Sequence, residues 1–192
     1  MNETSVMQRA LGPAWNELPA ALRAHYQYAE NVDEGLLDID YPRHLHPVMN
    51  VLHALGALVN RRGRNVPTRV EKHMGGTMQF WSRTLRFPDG KTVLFNSRWV
   101  HDRDSRLIEY VNPFLGLRMK VWIEAGTLHY ESVDYVLQLG GWRLSLPEWL
   151  LLGKAHITEA ALDERKFAMD FYLHHPLFGR IFSYAGQFET HG

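Results

Sequence analysis

From Val66 onward the chain is a succession of short segments rich in Val, Ile, Trp, Tyr and Phe, separated every eight to twelve residues by turn-forming residues. This spacing is typical of antiparallel β-proteins. Ten such segments are predicted as strands, over residues 68–74, 78–87, 92–101, 107–111, 115–124, 128–139, 142–144, 155–161, 166–173 and 181–188. An open sheet of this many strands tends to curl, so a barrel or a strongly bent sheet is expected.

Segment 115–124 shows the alternation of a half-buried strand most clearly. One face is wholly apolar and consists of Leu115, Leu117, Met119, Val121 and Ile123. The other face is mixed and consists of Arg118, Lys120, Trp122 and Glu124. The pattern therefore predicts that one side of the sheet packs against a core while the other side contacts solvent.

The first third of the chain has a different pattern. A helix is predicted around residues 18–26, where Pro19 precedes good helix formers. A second is predicted from His44 to Val59, where apolar residues recur on one side. These apolar residues are Leu45, Val48, Met49, Leu52, Leu55 and Val59. A strand is predicted between the helices, over 35–41, and residues 1–8 are expected to be a loose start.

No internal repeat or linker interrupts the chain, so residues 1–192 are expected to form a single domain. The fold class predicted is α+β, mostly β, with about ten antiparallel strands. Two N-terminal helices fall within about residues 18–60, ahead of a β region at about 66–190. They are expected to plug one end of the sheet or to cover one face.

Composition narrows the class of protein. The 45% hydrophobic and 22% charged residues are typical of a globular domain. Twenty-one basic residues balance twenty-one acidic ones, which argues against nucleic-acid binding because such proteins carry a basic excess. A net charge of zero also weakens repulsion between copies and allows a homo-oligomer.

The sequence also bears on location. Neither a signal peptide nor a membrane span is recognisable. The absence of cysteine fits a reducing compartment, so a cytoplasmic location is expected.

Several short motifs, taken in order, resemble a known bacterial family. They are Leu-Gly-Pro-Ala-Trp at 11–15, Leu-Pro at 18–19, Leu-Arg at 22–23, Trp-Ser-Arg at 81–83 with Phe87, Leu-Ile-Glu-Tyr at 107–110, Gly-Trp-Arg-Leu at 141–144 before Pro147, and residues 176–186. Over nearly its whole length the chain resembles the domain of unknown function 4166. One difference is the sequence Tyr184-Ala185-Gly186, where the family is expected to have Tyr-Arg-Gly.

The resemblance implies no catalytic residues and no cofactor, because the family has no established activity. Relatives in which the domain follows a dehydrogenase-like domain imply an oxidoreductase as a partner. Nothing in this chain itself resembles a dinucleotide-binding domain.

A candidate ligand site lies in the predicted strands. Arg83 shares a strand face with Trp81 and Phe87, and a guanidinium among apolar neighbours needs a partner, for which Glu109 is the candidate. The pair could bind a ligand carboxylate or phosphate through the planar guanidinium, or it could be a structural salt bridge. With the strand tryptophans, the predicted ligand-binding set is Trp81, Arg83, Trp99, Glu109 and Trp122.

Other polar groups provide alternatives. Glu109, or a His129–Glu131 pair on one strand face, could act as a general base. His46 and His53 are seven residues apart on the second predicted helix, a spacing unlike that of helical metal ligands, so no metal site is expected. The amphipathic segment 147–152, which contains Trp149, is interpreted as a lid or an exposed docking edge.

Three functions follow from these features. The first is a non-catalytic barrel that binds a small apolar or amphipathic molecule, which requires a cavity of at least about 300 Å³. The second is an interaction module accessory to an oxidoreductase. The third is an acid/base enzyme that uses Glu109 or the His129–Glu131 pair.

Overall fold

The computed structural model describes residues 4–27 and 30–191. Within these ranges it contains helices α1 (Val6–Leu11), α2 (Ala20–Tyr26) and α3 (His46–Ala54), with 3-10 turns at Gly12–Glu17, Arg43–Leu45 and Glu148–Leu150. The strands are β1 (Asn31–Asp40), β2 (Gly63–Gly75), β3 (Met78–Arg86), β4 (Thr92–His101), β5 (Arg106–Tyr110), β6 (Leu115–Glu124), β7 (Thr127–Leu139), β8 (Trp142–Leu146), β9 (Lys154–Ala161), β10 (Lys166–His175) and β11 (Gly179–His191). Each predicted strand corresponds to one of these.

The strands form one antiparallel sheet that closes on itself. Their order is β6-β5-β4-β3-β2-β1-β11-β10-β9-β7-β8. β6 also pairs with β7, from Leu115 opposite Leu137 to Glu124 opposite Thr127, so that ten strands make a closed barrel. β8 lies outside the barrel and pairs with the C-terminal part of β7. The predicted mostly β fold, with its strands curled into a barrel, is confirmed.

The alternation seen in the sequence decides which side chains fill the barrel. In β6 the apolar face contributes Met119 and Val121 to the core, and in β2 Val66 and Val70 do the same. Successive side chains on a strand point to opposite faces. The neighbours on the opposite parity, such as Lys120, therefore lie on the outer surface.

Helices α1 and α2 cover one end of the barrel, which we call the plugged end. α1 packs on β4, β5 and β6, and α2 packs on β1, β9, β10 and β11. Each helix presents one apolar side, with Val6 and Met7 buried from α1 and Leu22 and Tyr26 buried from α2. Of the two helices predicted to plug an end, only the one at about 18–26 does so, as α2; its companion α1 lies within the predicted loose start, and the two are only seven and six residues long.

The expected loose start at residues 1–8 is wrong from Ser5 onward, and residues 1–3 lie outside the described ranges. The Ser5 backbone N–H donates to Gln8 Oε1 at 2.7 Å, and the Gln8 backbone N–H donates to Ser5 Oγ at 3.2 Å. This is a capping box, whose signature is a Ser or Thr followed three residues later by Glu or Gln. The signal was present in the sequence.

Ser5→Ala is expected to lower the free energy of unfolding by about 1 kcal/mol, because the N–H of Gln8 loses its acceptor at a buried helix start. Chemical denaturation followed by tryptophan fluorescence measures the change. Ser105→Ala, in the turn between β4 and β5, is the matched control and should shift stability by less than about 0.5 kcal/mol. Equal effects of the two substitutions would contradict a capping role.

Helix α3 lies at the opposite end of the barrel and is shorter than predicted. It ends at Ala54 because Gly56 adopts a left-handed backbone conformation, with φ of 71°, and residues 57–59 then turn into the core. Met49 is buried, but Val48 and Leu55 from the predicted apolar side are about half exposed. No helix in the described ranges is long and apolar enough to cross a lipid bilayer.

Candidate functional site

The barrel holds a cavity of about 120 Å³ that is partly open to solvent. Its wall is mostly apolar and runs from Tyr26 at the plugged end to Leu58 and Leu152 at the opposite end. Trp81 and Trp99 stack on this wall with their ring centroids 4.6 Å apart. The volume is comparable to that of cavities of about 150 Å³ that bind benzene. The cavity therefore fails the requirement of about 300 Å³ set for a drug-sized ligand, and it can hold only a molecule of about the size of benzene.

Arg83 and Glu109 lie together on the cavity wall. Arg83 Nη2 is 3.1 Å from Glu109 Oε1, and Ser97 links the two by accepting from Arg83 Nη1 at 2.9 Å and donating to Glu109 Oε1 at 2.6 Å. The three residues come from β3, β4 and β5, which are neighbours in the sheet. The predicted pairing of Arg83 with Glu109 is confirmed. Their side chains remain 16% and 14% exposed, so both stay within reach of a small molecule.

Aromatic rings hold the guanidinium of Arg83 in place. It lies 5.1 Å from the ring centroids of both Trp81 and Phe95. A cation on an aromatic face is stabilised by the ring quadrupole, and the ring keeps the planar group in a fixed orientation. The arrangement presents an oriented donor group beside apolar wall, which suits a ligand with one polar end.

A buried carboxyl group, Glu159 of β9, lies deeper in the barrel. Tyr26 donates to Glu159 Oε2 at 2.7 Å, and Tyr130 in turn donates to the hydroxyl of Tyr26. Burial raises the pKa of Glu159 to about 7, well above the usual value of 4.5. The pKa values of Tyr26 and Tyr130 are also raised by burial, so both hydroxyls keep their protons.

A second polar cluster joins α2 to the barrel. Lys72 Nζ lies 2.5 Å from Asp33 Oδ2 and donates to the backbone carbonyl of His25 at 2.5 Å. His25 Nδ1 is 2.8 Å from the same Asp33 oxygen, and Thr190 donates to Asp33 Oδ1 at 2.7 Å. All four residues are buried.

Burial and charge act in opposite directions on this cluster. Burial lowers the pKa of Lys72 to about 8 in spite of the nearby Asp33, and lowers that of His25 to about 4. Burial alone would raise the pKa of Asp33, but His25 and Lys72 hold it well below its usual range. At neutral pH the cluster therefore contains one ammonium, one carboxylate and one neutral imidazole.

Four residues that line the cavity carry a buried polar atom with no hydrogen-bond partner among the described residues. These atoms are His25 Nε2, Trp81 Nε1, Trp99 Nε1 and Glu159 Oε1. Buried polar groups are normally paired, and an unpaired one costs about 1–3 kcal/mol. They are four of the ten buried polar side-chain atoms without a hydrogen-bond partner in the described residues, and they are not themselves accessible in the cavity.

The remaining sequence-predicted site residues lie elsewhere. Trp122 is on the outer face of β6, stacked on His129 at 5.2 Å, and does not line the cavity. Glu131 also lies outside, paired with Lys154. His129 and Glu131 therefore do not make the orienting contact that a general base would need. No group of His, Asp and Glu residues in the described ranges could hold a metal ion.

The sequence patterns did not predict the polar clusters around Asp33 and Glu159. Lys72 follows Val66, Thr68 and Val70 on one strand face, and Glu159 follows Ala155 and Ile157 in the same way. A charged residue at an inward position of an alternating strand was the available signal. Their partners on α2 could not be found this way, because they depend on how the helix enters the barrel.

The fold and the site together define a class of protein, the closed antiparallel barrels of ten strands with a partly open apolar interior. Within it, the chain belongs to the family described as a domain of unknown function (DUF4166), whose model matches residues 18–188. The family expected from the sequence motifs is confirmed.

The chain is similar to an uncharacterized bacterial protein and to a protein of solved structure. The chain is 26% identical over 144 residues to the uncharacterized protein YndH of Bacillus subtilis (strain 168), covering 68% of this chain and 67% of that protein. The crystal structure of Rv2717c from M. tuberculosis superposes with a TM-score of 0.51 at 12% identity, covering 95% of this chain and 99% of that one. At this identity the second likeness supports the fold alone.

Proposed function

We propose that the barrel binds a small, mostly apolar molecule with one polar group, without catalysis of its own. The observation that carries the proposal is the partly open apolar cavity with Arg83 and Glu109 on its wall. The apolar wall favours the body of the ligand through burial. Arg83 can donate to the polar group and Glu109 can accept from it, so a neutral hydroxyl satisfies both better than a free carboxylate.

Cavity size limits this ligand. At about 120 Å³ the space suits roughly a single six-membered ring. A longer molecule requires movement of the residues that close the α3 end, such as Leu58 and Leu152. The unpaired indole N–H groups of Trp81 and Trp99 add support, because small ring shifts would offer them to a ligand or to water.

The other two functions have less support. The segment 147–152 is exposed, as an interaction module requires, but a barrel filled with side chains would favour that function, and this barrel holds a cavity. Of the residues considered for acid/base catalysis, only Glu109 lines the cavity, because His129 and Glu131 lie outside the barrel.

Phenol and benzene test the proposal as probes of matched size. Thermal unfolding followed by circular dichroism should show stabilisation by both, with about 1.4 kcal/mol expected when the free probe reaches ten times its Kd. Phenol should bind more tightly than benzene because its hydroxyl meets Arg83 and Glu109. Native mass spectrometry of gently purified protein, followed by organic extraction, tests for a retained molecule in parallel.

Two arginine variants identify the site of binding. Arg83→Gln should weaken phenol binding about tenfold while leaving benzene binding nearly unchanged, since one charge-assisted hydrogen bond is lost. Arg98→Gln, on the outward face of the adjacent strand with its guanidinium over Tyr110, is the matched control and should affect neither probe. Absence of stabilisation by either probe, together with no retained mass, would refute the proposal.

A further inference from the structure

Exposed apolar side chains are concentrated at the α3 end of the barrel. Of sixteen large hydrophobic residues exposed in the described chain, twelve lie at this end, in α3, in β8 and the last residue of β7, or in the connections. We call these twelve the rim: Val48, Val51, Leu55, Phe114, Leu139, Trp142, Leu144, Trp149, Leu150, Leu151, Leu177 and Phe178. At the plugged end, the exposed large hydrophobic residue among the described ones is Leu162, just after β9.

Contacts between the connections hold the rim in one region. Asn112, next to Phe114 in the turn between β5 and β6, donates to the backbone carbonyl of Leu55 at the end of α3 at 2.7 Å. On the other side, His175 Nε2 lies 2.9 Å from the backbone carbonyl of Trp149 and joins the β10–β11 turn to the 3-10 turn before β9. Apolar exposure on this scale is rare in a monomer and marks a surface that another body covers.

The two rim tryptophans are the most informative members. Trp142 is 84% exposed and Trp149 is 62% exposed, although each is a large aromatic ring in an ordered element. Tryptophan is enriched where one end of the ring is apolar and the other is wet, above all at the boundary between lipid tails and headgroups.

Positive charge surrounds the rim. Five cations at this end, all exposed, have no carboxylate partner among the described residues: Arg43, Arg86, Lys91, Arg143 and Arg180. The aspartates at this end are each paired with an arginine, as Asp40 is with Arg62 at 2.6 Å. Within residues 4–27 and 30–191, Glu148 has no cationic partner at salt-bridge distance and accepts from Ser132 instead. Because the chain has no net charge, the positive excess at this end is balanced by acidic residues elsewhere in the chain.

We propose that the rim docks on an anionic lipid membrane. The barrel axis then points into the membrane surface, and the plugged end faces water. Apolar and aromatic side chains enter the headgroup boundary while the surrounding cations bind anionic headgroups. Charge complementarity selects this occupant over a second copy of the chain, because two such ends would repel each other. The proposal does not rest on the cavity holding a ligand.

Co-sedimentation with sucrose-loaded vesicles tests the proposal. Vesicles with about 30% phosphatidylglycerol in phosphatidylcholine should bind the protein at low salt, and pure phosphatidylcholine should bind it much more weakly. Binding should fall as salt is raised, since exposed charges are screened. The double variant Trp142→Ser/Trp149→Ser should lose about tenfold or more in affinity through lost apolar insertion. Leu36→Ser/Leu162→Ser, which replaces two exposed leucines off the rim, should bind as the parent does.

A charge variant separates the two contributions. Arg143→Gln/Arg180→Gln should weaken binding to the anionic vesicles with little change in thermal stability, because both side chains are exposed and only the contact of Arg180 with the Tyr172 ring, at 4.6 Å, is lost. The proposal is overturned if the parent protein stays in the supernatant, if both vesicle types bind it equally, or if the off-rim variant loses as much as the rim variant. A concentration-dependent dimer seen by light scattering, abolished by the rim variant and without vesicle binding, would overturn it in favour of self-association. The phenol titration is unaffected by any of these outcomes.

Discussion

Asp33→Asn is expected to lower the free energy of unfolding by about 3–5 kcal/mol, because it leaves the buried ammonium of Lys72 without its counter-charge. Neither side chain is exposed to solvent, and the Lys72 pKa is already lowered to about 8 with Asp33 present. Loss of the carboxylate removes the interaction that opposes this shift. Lysine must then either remain charged in the core or give up its proton on folding, and both are unfavourable.

Urea denaturation at pH 7 measures this effect, and a second aspartate on the same strand provides the control. Asp38 pairs with Arg64 at 2.7 Å on the barrel surface, so Asp38→Asn should change stability by less than about 1 kcal/mol. The double variant Asp33→Asn/Lys72→Met should recover much of the loss, since no unpaired charge remains. A loss below about 1 kcal/mol for Asp33→Asn alone would contradict the role of the pair.

Glu159→Gln is expected to make the protein more stable relative to the parent as the pH rises from 4.5 to about 7. The carboxyl of Glu159 has a pKa of about 7 in the folded barrel and the usual 4.5 in the unfolded chain. Between these values the folded state keeps a proton that the unfolded state has lost, so the parent loses stability as the pH rises. The difference of pKa corresponds to about 3 kcal/mol at most, and glutamine does not titrate.

The comparison of parent and variant is needed because His25 works in the opposite direction. The pKa of His25 is about 4 in the folded protein and 6.5 in the unfolded chain. Parent and variant therefore both become more stable as the pH rises from 4 to 6.5, because the unfolded state binds the extra proton there. Denaturation curves at pH 4.5, 6 and 7.5 should show the advantage of Glu159→Gln growing with pH. Glu131→Gln, on the outer face of β7, should differ from the parent by less than about 1 kcal/mol throughout. A constant offset for Glu159→Gln would show that the carboxyl does not change protonation in this range.

The alternation of residues within single strands was sufficient to predict much of the site. Trp81, Arg83 and Trp99 have inward parity in their strands, and they line the cavity together with Glu109. Trp122 is the instructive exception. The pattern of segment 115–124 already placed it with Arg118 and Lys120 on the mixed face, and an inward tryptophan there would have required the whole strand to invert.

Helix α3 shows where a local pattern is insufficient. Its predicted apolar side ran on to Leu55 and Val59, beyond the observed end of the helix at Ala54, and Val48 and Leu55 are exposed. An apolar stripe predicts that a helix needs a covering surface, but not that this surface belongs to the same chain. The exposed stripe instead became part of the rim and of the membrane proposal.

The sequence by itself determined the class of fold and the eleven strand positions, and made Glu109 the candidate partner of Arg83, because these depend on side-chain parity and on spacing along the strands. Its short motifs, taken in order, indicated the family. Only the tertiary structure decided that β6 closes on β7 while β8 is left outside, since register depends on pairing between distant segments. The same holds for the Asp33–Lys72–His25 cluster, whose members come from β1, β2 and α2. A buried charge is stable only where several elements converge to pair it, and that convergence is a property of the closed barrel.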